Sequence, residues 1–128
     1  MPVWRARTSL TKEPETLEWI NTFEDADVLW DIGANVGVYS LYAALRRLTV
    51  LAFEPSSANS YVLSRNVEIN KMDDRVSTFC LAFNNMTKWD LLYMSDTQFG
   101  GALSSFSHPV DIHGKSLKVP RIRLAIND

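Results

Sequence analysis

The stretch DIGANVGVYS, residues 31–40, decides the fold of this 128-residue chain. It joins an apolar run to a segment with helical spacing, and Gly33 and Gly37 lie between the two. A glycine-rich turn between a first strand and a first helix lets a ligand approach the main chain closely. The stretch therefore predicts a binding site at the carboxyl end of a β-strand, where open α/β sheets bind their ligands.

Strands and helices alternate around this stretch. Residues 14–24 have the spacing of an amphipathic helix, with Pro14 suited to its first turn. Apolar runs at residues 28–30, 48–53 and 76–82 predict three strands, and helices are predicted at 36–46 and from the N-cap residues Ser56 and Ser57 to about Asn70. The alternation indicates an α/β fold with a parallel sheet and right-handed crossovers. The continuous apolar run of the first strand predicts burial on both faces.

The later part of the chain has a different pattern. Residues 89–94 predict a strand, residues 95–109 a loop, and residues 113–114 a turn. Residues 121–127 alternate in hydrophobicity, as in a half-buried strand that starts at an edge next to Pro120. This gives a β-rich segment after the alternating half.

Two further burial predictions follow from local pattern. The helix after Ser57 has an apolar side that consists of Val62, Leu63, Val67 and Ile69. Cys80 lies inside an apolar run, which is typical of a buried small residue.

Composition places the chain among single-domain globular proteins. Hydrophobic residues make up 46% and charged residues 22%. The net charge of −2, without a basic block, gives no electrostatic support for a nucleic-acid partner. No apolar run approaches the length of a membrane span, the first residues lack the apolar core of a signal peptide, and one cysteine makes no disulfide framework. We therefore expect a cytoplasmic protein with no membrane or nucleic-acid partner.

Two acidic residues lie at the carboxyl ends of predicted strands. Glu54 follows Gly33 by about 20 residues, the spacing at which an acidic side chain accepts hydrogen bonds from ribose hydroxyls. Asp31 and Glu54 together predict a nucleoside-containing cofactor. Simpler explanations exist for each residue: Asp31 as a cap of the next helix, and Glu54 as a solvated strand end.

The glycine spacing separates two classes of cofactor. A dinucleotide site needs G-x-G-x-x-G, because the pyrophosphate rests on the helix N-terminus. Here Asn35 takes the place of the central glycine. S-adenosylmethionine has no phosphate; Asp31 suits its amine, and main chain near Gly33 and Ala34 suits the methionine portion. A nicotinamide-dependent oxidoreductase remains the alternative from another enzyme class.

The sequence resembles the FkbM-type methyltransferases, a class I S-adenosylmethionine-dependent family. The segments that carry the resemblance are KEPETLEWI (12–20), VLWDIGANVGVYSLYAA (28–44), VLAFEPSSANSYVLSRNVEIN (50–70), VSTFCLAF (76–83), GGALSSF (100–106) and RIRLAIND (121–128). The form D-x-G-A-N-x-G-x-Y-S is more specific than a bare glycine motif. The resemblance implies a Rossmann-like sheet, seven-stranded in the family, and methyl transfer, usually to a hydroxyl of a sugar, polyketide or similar small molecule.

The resemblance also assigns residues to S-adenosylmethionine. The first cofactor loop would consist of Asp31, Gly33, Ala34, Asn35 and Gly37. Glu54 would bind the ribose, and Glu13 would approach the methionine end.

Residues near the adenine come from two later segments. Pro55 and Ser56 would lie near the adenine edge, and Leu81 and Ala82, taken as the end of the third strand, would place main chain beside the ring. No catalytic residue is assigned, since methyl transfer needs little beyond alignment of the reacting groups. His108 and His113 are interpreted as solvated loop residues, and no metal cluster is visible.

The sequence departs from the family pattern at its end. In the family, a segment resembling RIRLAIND precedes a strand of the type I-K-I-D-V-E-G, its helix and the remaining strands. We therefore interpret residues 1–128 as a single partial methyltransferase domain, the cofactor-binding half, with an exposed sheet edge. Exposed edges are normally covered, so we expect self-association or a completing chain there. A non-catalytic cofactor-binding or assembly remnant is the alternative to an active enzyme.

Overall fold

The computed structural model describes residues 13–94 and the backbone of residues 105–106 and 121–125. Helices and strands alternate in the first range, as predicted. The helices are α1 (Pro14–Asn21), α2 (Val38–Leu45) and α3 (Ser57–Ile69). The strands are β1 (Val28–Ile32), β2 (Thr49–Phe53), β3 (Val76–Phe79), β4 (Trp89–Tyr93), β5 (Ser105–Phe106) and β6 (Arg121–Ala125).

The strands form two sheets of three strands each. In the first, β1, β2 and β3 lie side by side in chain order and run parallel, with α2 and α3 as the connecting helices. In the second, β4 lies between β5 and β6 and is antiparallel to both. The predicted parallel half and the β-rich segment after it are confirmed. In the described part of the chain, β1 has a hydrogen-bonded neighbour on one side only.

The core lies on one face of the parallel sheet. Side chains of alternate strand residues point to this face, where all three helices pack. The buried cluster includes Ile20, Leu29, Ala43, Ala44, Val50, Ala52, Leu63, Val67 and Val76. Removing this apolar surface from water is the main driving force that holds the helices against the sheet. Among the described residues, no helix is long and apolar enough to cross a membrane.

Several side chains on the opposite face of the sheet are exposed in the described part of the chain. We call it the aromatic face; it consists of Val28, Trp30, Ile32, Phe53 and Phe79, with Phe83 from the segment after β3. Trp30 is 55% exposed and Ile32 is 60% exposed. The prediction that β1 is buried on both faces is therefore wrong. The apolar run cannot show this, because it does not tell whether helices lie on one face or on both.

Two other burial predictions are also wrong in part. In α3, Leu63 and Val67 are buried, whereas Ile69 is exposed. Ile69 follows Val67 by two positions, which turns it about 200° around the helix axis. Cys80 is exposed as well, because β3 ends one residue earlier, at Phe79.

The ends of several elements differ from the predicted ones. The first helix stops at Asn21, and β3 is shorter than the predicted strand at residues 76–82. Ser56 is the N-cap of α3, with its hydroxyl accepting a hydrogen bond from the Asn59 N–H, as predicted. Residues 105–106 form a strand inside the predicted loop, and the predicted turn at residues 113–114 lies outside the described residues.

The two glycines of the first loop are required for different reasons. Both have positive φ angles, +79° at Gly33 and +89° at Gly37. A Cβ atom on Gly37 would overlap the Leu63 Cδ1 atom of α3, whereas a Cβ atom on Gly33 would meet nothing within 4 Å. Gly37 therefore allows α3 to pack against the first loop. Of these two glycines, Gly33 is the one beside open space.

Replacing Gly37 by alanine should destabilise the fold by about 2–4 kcal/mol, because a strained backbone and an overpacked contact act together. Gly33→Ala is the matched control, with similar backbone strain of about 1–2 kcal/mol and no overlap. Urea denaturation followed by circular dichroism measures both variants. In the double variant Gly37→Ala/Leu63→Ala the two losses should be less than additive, since Leu63→Ala removes the side chain that the new Cβ atom would meet. Equal losses for the two glycine variants would contradict the packing explanation.

Candidate functional site

The first loop, residues 33–37, is held against the end of β2 by its backbone. The N–H groups of Gly33 and Ala34 both donate to the carbonyl oxygen of Phe53, at 2.8 and 3.0 Å. The Gly37 N–H donates to the Ala34 carbonyl oxygen at 2.8 Å. These donors are consequently turned towards the protein.

Glu54 links the first loop to the start of α3. One carboxylate oxygen, Oε2, accepts a 2.8 Å hydrogen bond from the Asn35 N–H, and the other, Oε1, accepts one of 2.8 Å from the Ser56 N–H. Asn35 has a φ angle of +53°, which presents its N–H to this carboxylate. Glu54 is buried, so the explanation of this residue as a solvated strand end is wrong.

Asp31 lies at the carboxyl end of β1 and reaches the first turn of α2. Its Oδ2 atom accepts a 2.6 Å hydrogen bond from the Ser40 hydroxyl. Burial raises the pKa of Asp31 above its usual value of 3.8, while the bonds from Ser40 act in the opposite direction. Asp31 thus places an acidic group beside the N-terminal turn of this helix.

Glu13 lies beside the same helix end. The Tyr39 hydroxyl donates a 2.7 Å hydrogen bond to Glu13 Oε2. Partial burial, together with this bond to the carboxylate, raises the pKa of Tyr39 to about 12. The structure therefore brings Glu13 to the start of α2.

The residues predicted around the adenine lie in two neighbouring segments. The Cys80 sulfur contacts the Pro55 carbonyl oxygen at 3.9 Å, which brings the segment after β3 beside the segment after β2. Leu81 is half-buried and Ala82 is buried. Both follow β3 instead of ending it, so their predicted position in the strand is wrong.

Two contributors to the site were not predicted. Ser40 is fully buried and holds Asp31, and Tyr39 holds Glu13. Both belong to the quoted stretch and fall in the first turn of α2. The first turn of a helix that directly follows a strand lies close to the end of that strand. This position in the sequence could have identified both residues.

Other features of the described residues do not support a different site. In residues 13–94, no group of three histidine, cysteine, aspartate or glutamate side chains could hold a metal ion. His108 and His113 lie outside the described residues. A cavity of about 330 Å³ lies between α3 and β3, and none of the predicted site residues lines it. Its lining consists of Ser64, Val67, Glu68, Asp73, Val76 and Thr78.

The arrangement favours some ligand chemistries over others. A phosphate group is normally bound by free N–H groups of a glycine loop and by the positive end of a helix. Here the N–H groups of Gly33, Ala34, Asn35 and Gly37 are bonded within the protein, and the Asp31 carboxylate lies at the N-terminus of α2. The carboxylates of Asp31 and Glu54 suit ammonium and hydroxyl groups.

Comparisons with known proteins support the fold. No protein-family model and no curated protein sequence matches the chain. Among solved structures, it is similar to P. horikoshii TYW2 in complex with MeSAdo, with a TM-score of 0.50 and 24% identity over 54% of this chain and 26% of that one. It is also similar to a candidate transferase from Pyrococcus horikoshii, with a TM-score of 0.49 and 24% identity over 54% of this chain and 27% of that one.

The similarity to TYW2 agrees with the observed topology. Three parallel strands flanked by helices form a Rossmann-like α/β fold, and the predicted fold class is confirmed. The chain spans about a quarter of the length of these two structures.

The stability of the fold should depend on the ionisation of Asp31. Because the raised pKa means that the folded state binds the proton more tightly, this contribution to stability is fully present below about pH 3.8 and is lost as the pH rises through the raised pKa. Asp31→Asn should therefore gain stability relative to the natural chain as the pH increases from 4 to 8. Urea denaturation at several pH values measures the difference.

Asp27→Asn is the matched control for this experiment. Asp27 lies just before β1, at the opposite end of the strand, is exposed, and accepts a hydrogen bond from the Glu24 N–H that asparagine can retain. A stability difference that changes with pH to the same extent in both variants would contradict the assignment to Asp31.

Proposed function

We propose that this chain binds S-adenosylmethionine and belongs to an S-adenosylmethionine-dependent methyltransferase. The observation that carries the proposal is the bonding of the first loop. The N–H groups of Gly33, Ala34 and Asn35 are directed to Phe53 and Glu54, and the Asp31 carboxylate lies at the helix end where a dinucleotide would place its pyrophosphate. A nucleoside cofactor without phosphate fits this loop, and a nicotinamide dinucleotide does not.

Two carboxylates would hold the polar parts of the cofactor. Asp31 would bind the ammonium group of the methionine portion, since Ser40 fixes one of its oxygens and a carboxylate has about four acceptor positions. Glu54 would bind the ribose hydroxyls. Its two backbone hydrogen bonds orient the carboxylate and are compatible with further acceptance.

The remaining predicted residues would surround the cofactor. The open space at Gly33 would allow the methionine portion to approach the main chain, with Ala34, Asn35 and Gly37 shaping the loop. Pro55, Ser56, Leu81 and Ala82 come from the two segments that meet at the Cys80–Pro55 contact, and they would line the adenine. Glu13 would lie at the methionine end through its bond to Tyr39.

We further propose an FkbM-type enzyme that methylates a hydroxyl group of a sugar, polyketide or similar small molecule. The D-x-G-A-N-x-G-x-Y-S stretch supports this subtype. The similar structure of TYW2 was determined with MeSAdo, an analogue of S-adenosylmethionine, which supports the cofactor class. When bound, S-adenosylmethionine supplies an activated methyl group. The chain's part is to align this group with the acceptor oxygen.

A non-catalytic cofactor-binding module is the second candidate. Both candidates require the same cofactor site, so a binding experiment tests their shared basis.

Calorimetric titration with S-adenosylhomocysteine should show micromolar binding by the natural chain. Asp31→Asn should weaken it by about 10- to 100-fold, because a charge-assisted hydrogen bond to the ammonium group contributes about 1.5–3 kcal/mol. The affinity for methylthioadenosine, which lacks that ammonium group, should stay unchanged in the same variant. Asp27→Asn is the control and should bind both compounds as the natural chain does.

Glu54→Ala should abolish binding of both compounds, because both contain the ribose. This variant also loses the bonds to Asn35 and Ser56, so its thermal unfolding has to be measured alongside. Binding of NAD in preference to S-adenosylhomocysteine, or a folded natural chain that binds neither nucleoside, would refute the proposed cofactor.

A further inference from the structure

The aromatic face is a continuous apolar surface. Phe53 and Phe79 stack across β2 and β3 with ring centroids 5.0 Å apart, and Phe83 packs edge-on against Phe53 at 4.8 Å. Trp30 extends this cluster on β1, with its ring 5.6 Å from Phe53 and 6.2 Å from Phe83. These side chains are therefore ordered by contacts with one another; Phe53 is buried among them, whereas Trp30, Phe79 and Phe83 remain exposed to water.

Leaving this face open is energetically unfavourable. Parallel sheets are normally covered on both faces, and within residues 13–94 the helices α1, α2 and α3 cover only one. A large aromatic side chain buries roughly 150–250 Å² when covered, so the exposed fractions leave on the order of 500 Å² of apolar surface on this side. This is at the upper end of what ordinary monomers expose in one patch.

We propose that a second copy of this chain covers the aromatic face, so that two parallel sheets pack face to face in a symmetric dimer. Two such faces together bury about 1,000 Å², the lower limit for a specific interface. A face that meets its own copy about a two-fold axis closes at two chains and does not propagate.

The chemistry of the face favours an identical partner. Besides the aromatic-face residues, β1–β3 direct only Thr49, Leu51 and Ser77 to this side, so the strands place no charged residue there. The strands therefore offer no charge that a charged partner could pair with on this face. A neutral apolar surface, in contrast, is complementary to a second copy of itself. This inference does not depend on the proposed cofactor.

Sedimentation equilibrium of the natural chain between about 1 and 200 μM should show a reversible dimer, with twice the 14.5 kDa of one chain and a micromolar dissociation constant. Trp30→Glu should raise this constant at least 10-fold, because it places an unpaired charge in the interface. Trp19→Glu is the matched control: Trp19 is also 55% exposed but lies on α1, and its variant should dimerise normally.

Milder replacements guard against variants that fail to fold. Trp30→Thr keeps a strand-forming residue and removes the apolar area, and Ile32→Thr does the same at a second position on the face. Both should weaken the dimer while circular dichroism stays unchanged. A natural chain that is folded and monomeric at 200 μM overturns the proposal. So does a dimer that the Trp30 and Ile32 variants leave unaffected, or open-ended association into larger species.

Discussion

The carboxylate of Glu54 is the interaction on which the rest of the site depends. It accepts one backbone N–H from the loop after β1 and another from the start of α3, so it joins the two segments that leave the sheet at neighbouring strands. Burying a carboxylate is costly unless it is hydrogen-bonded, and these two bonds meet that requirement. The local fold and the candidate binding site therefore share the same hydrogen bonds.

The sequence predicted the features that depend on neighbours along the chain. Alternating apolar runs and capping residues such as Ser56 gave the order of the elements, and the spacing from Gly33 identified Glu54. The role of Gly37 could not be predicted, because it depends on Leu63, which approaches only when α3 packs onto the sheet. Exposure of Trp30 was missed for a similar reason: an apolar run indicates which residues avoid water, not what covers each face.

Asp31 can have a structural role and a binding role at the same time. The Ser40 hydroxyl, in the first turn of α2, donates a hydrogen bond to this carboxylate and ties it to the helix. The same acidic group makes the helix end unsuitable for phosphate and suitable for an ammonium group. The Asp31 carboxylate therefore restricts the ligands that this end of the sheet can accept, because it disfavours phosphate groups and favours ammonium groups.

The Phe53 carbonyl oxygen accepts two hydrogen bonds from the first loop, and these bonds affect the entropy of ligand binding. Because the amides of Gly33 and Ala34 are already fixed by this oxygen, the loop has its conformation before any ligand arrives. Little conformational entropy is then lost by the protein on binding, and the entropic cost falls mainly on the flexible parts of the ligand. The methionine chain of a nucleoside cofactor, with its several rotatable bonds, would be the part whose ordering limits affinity.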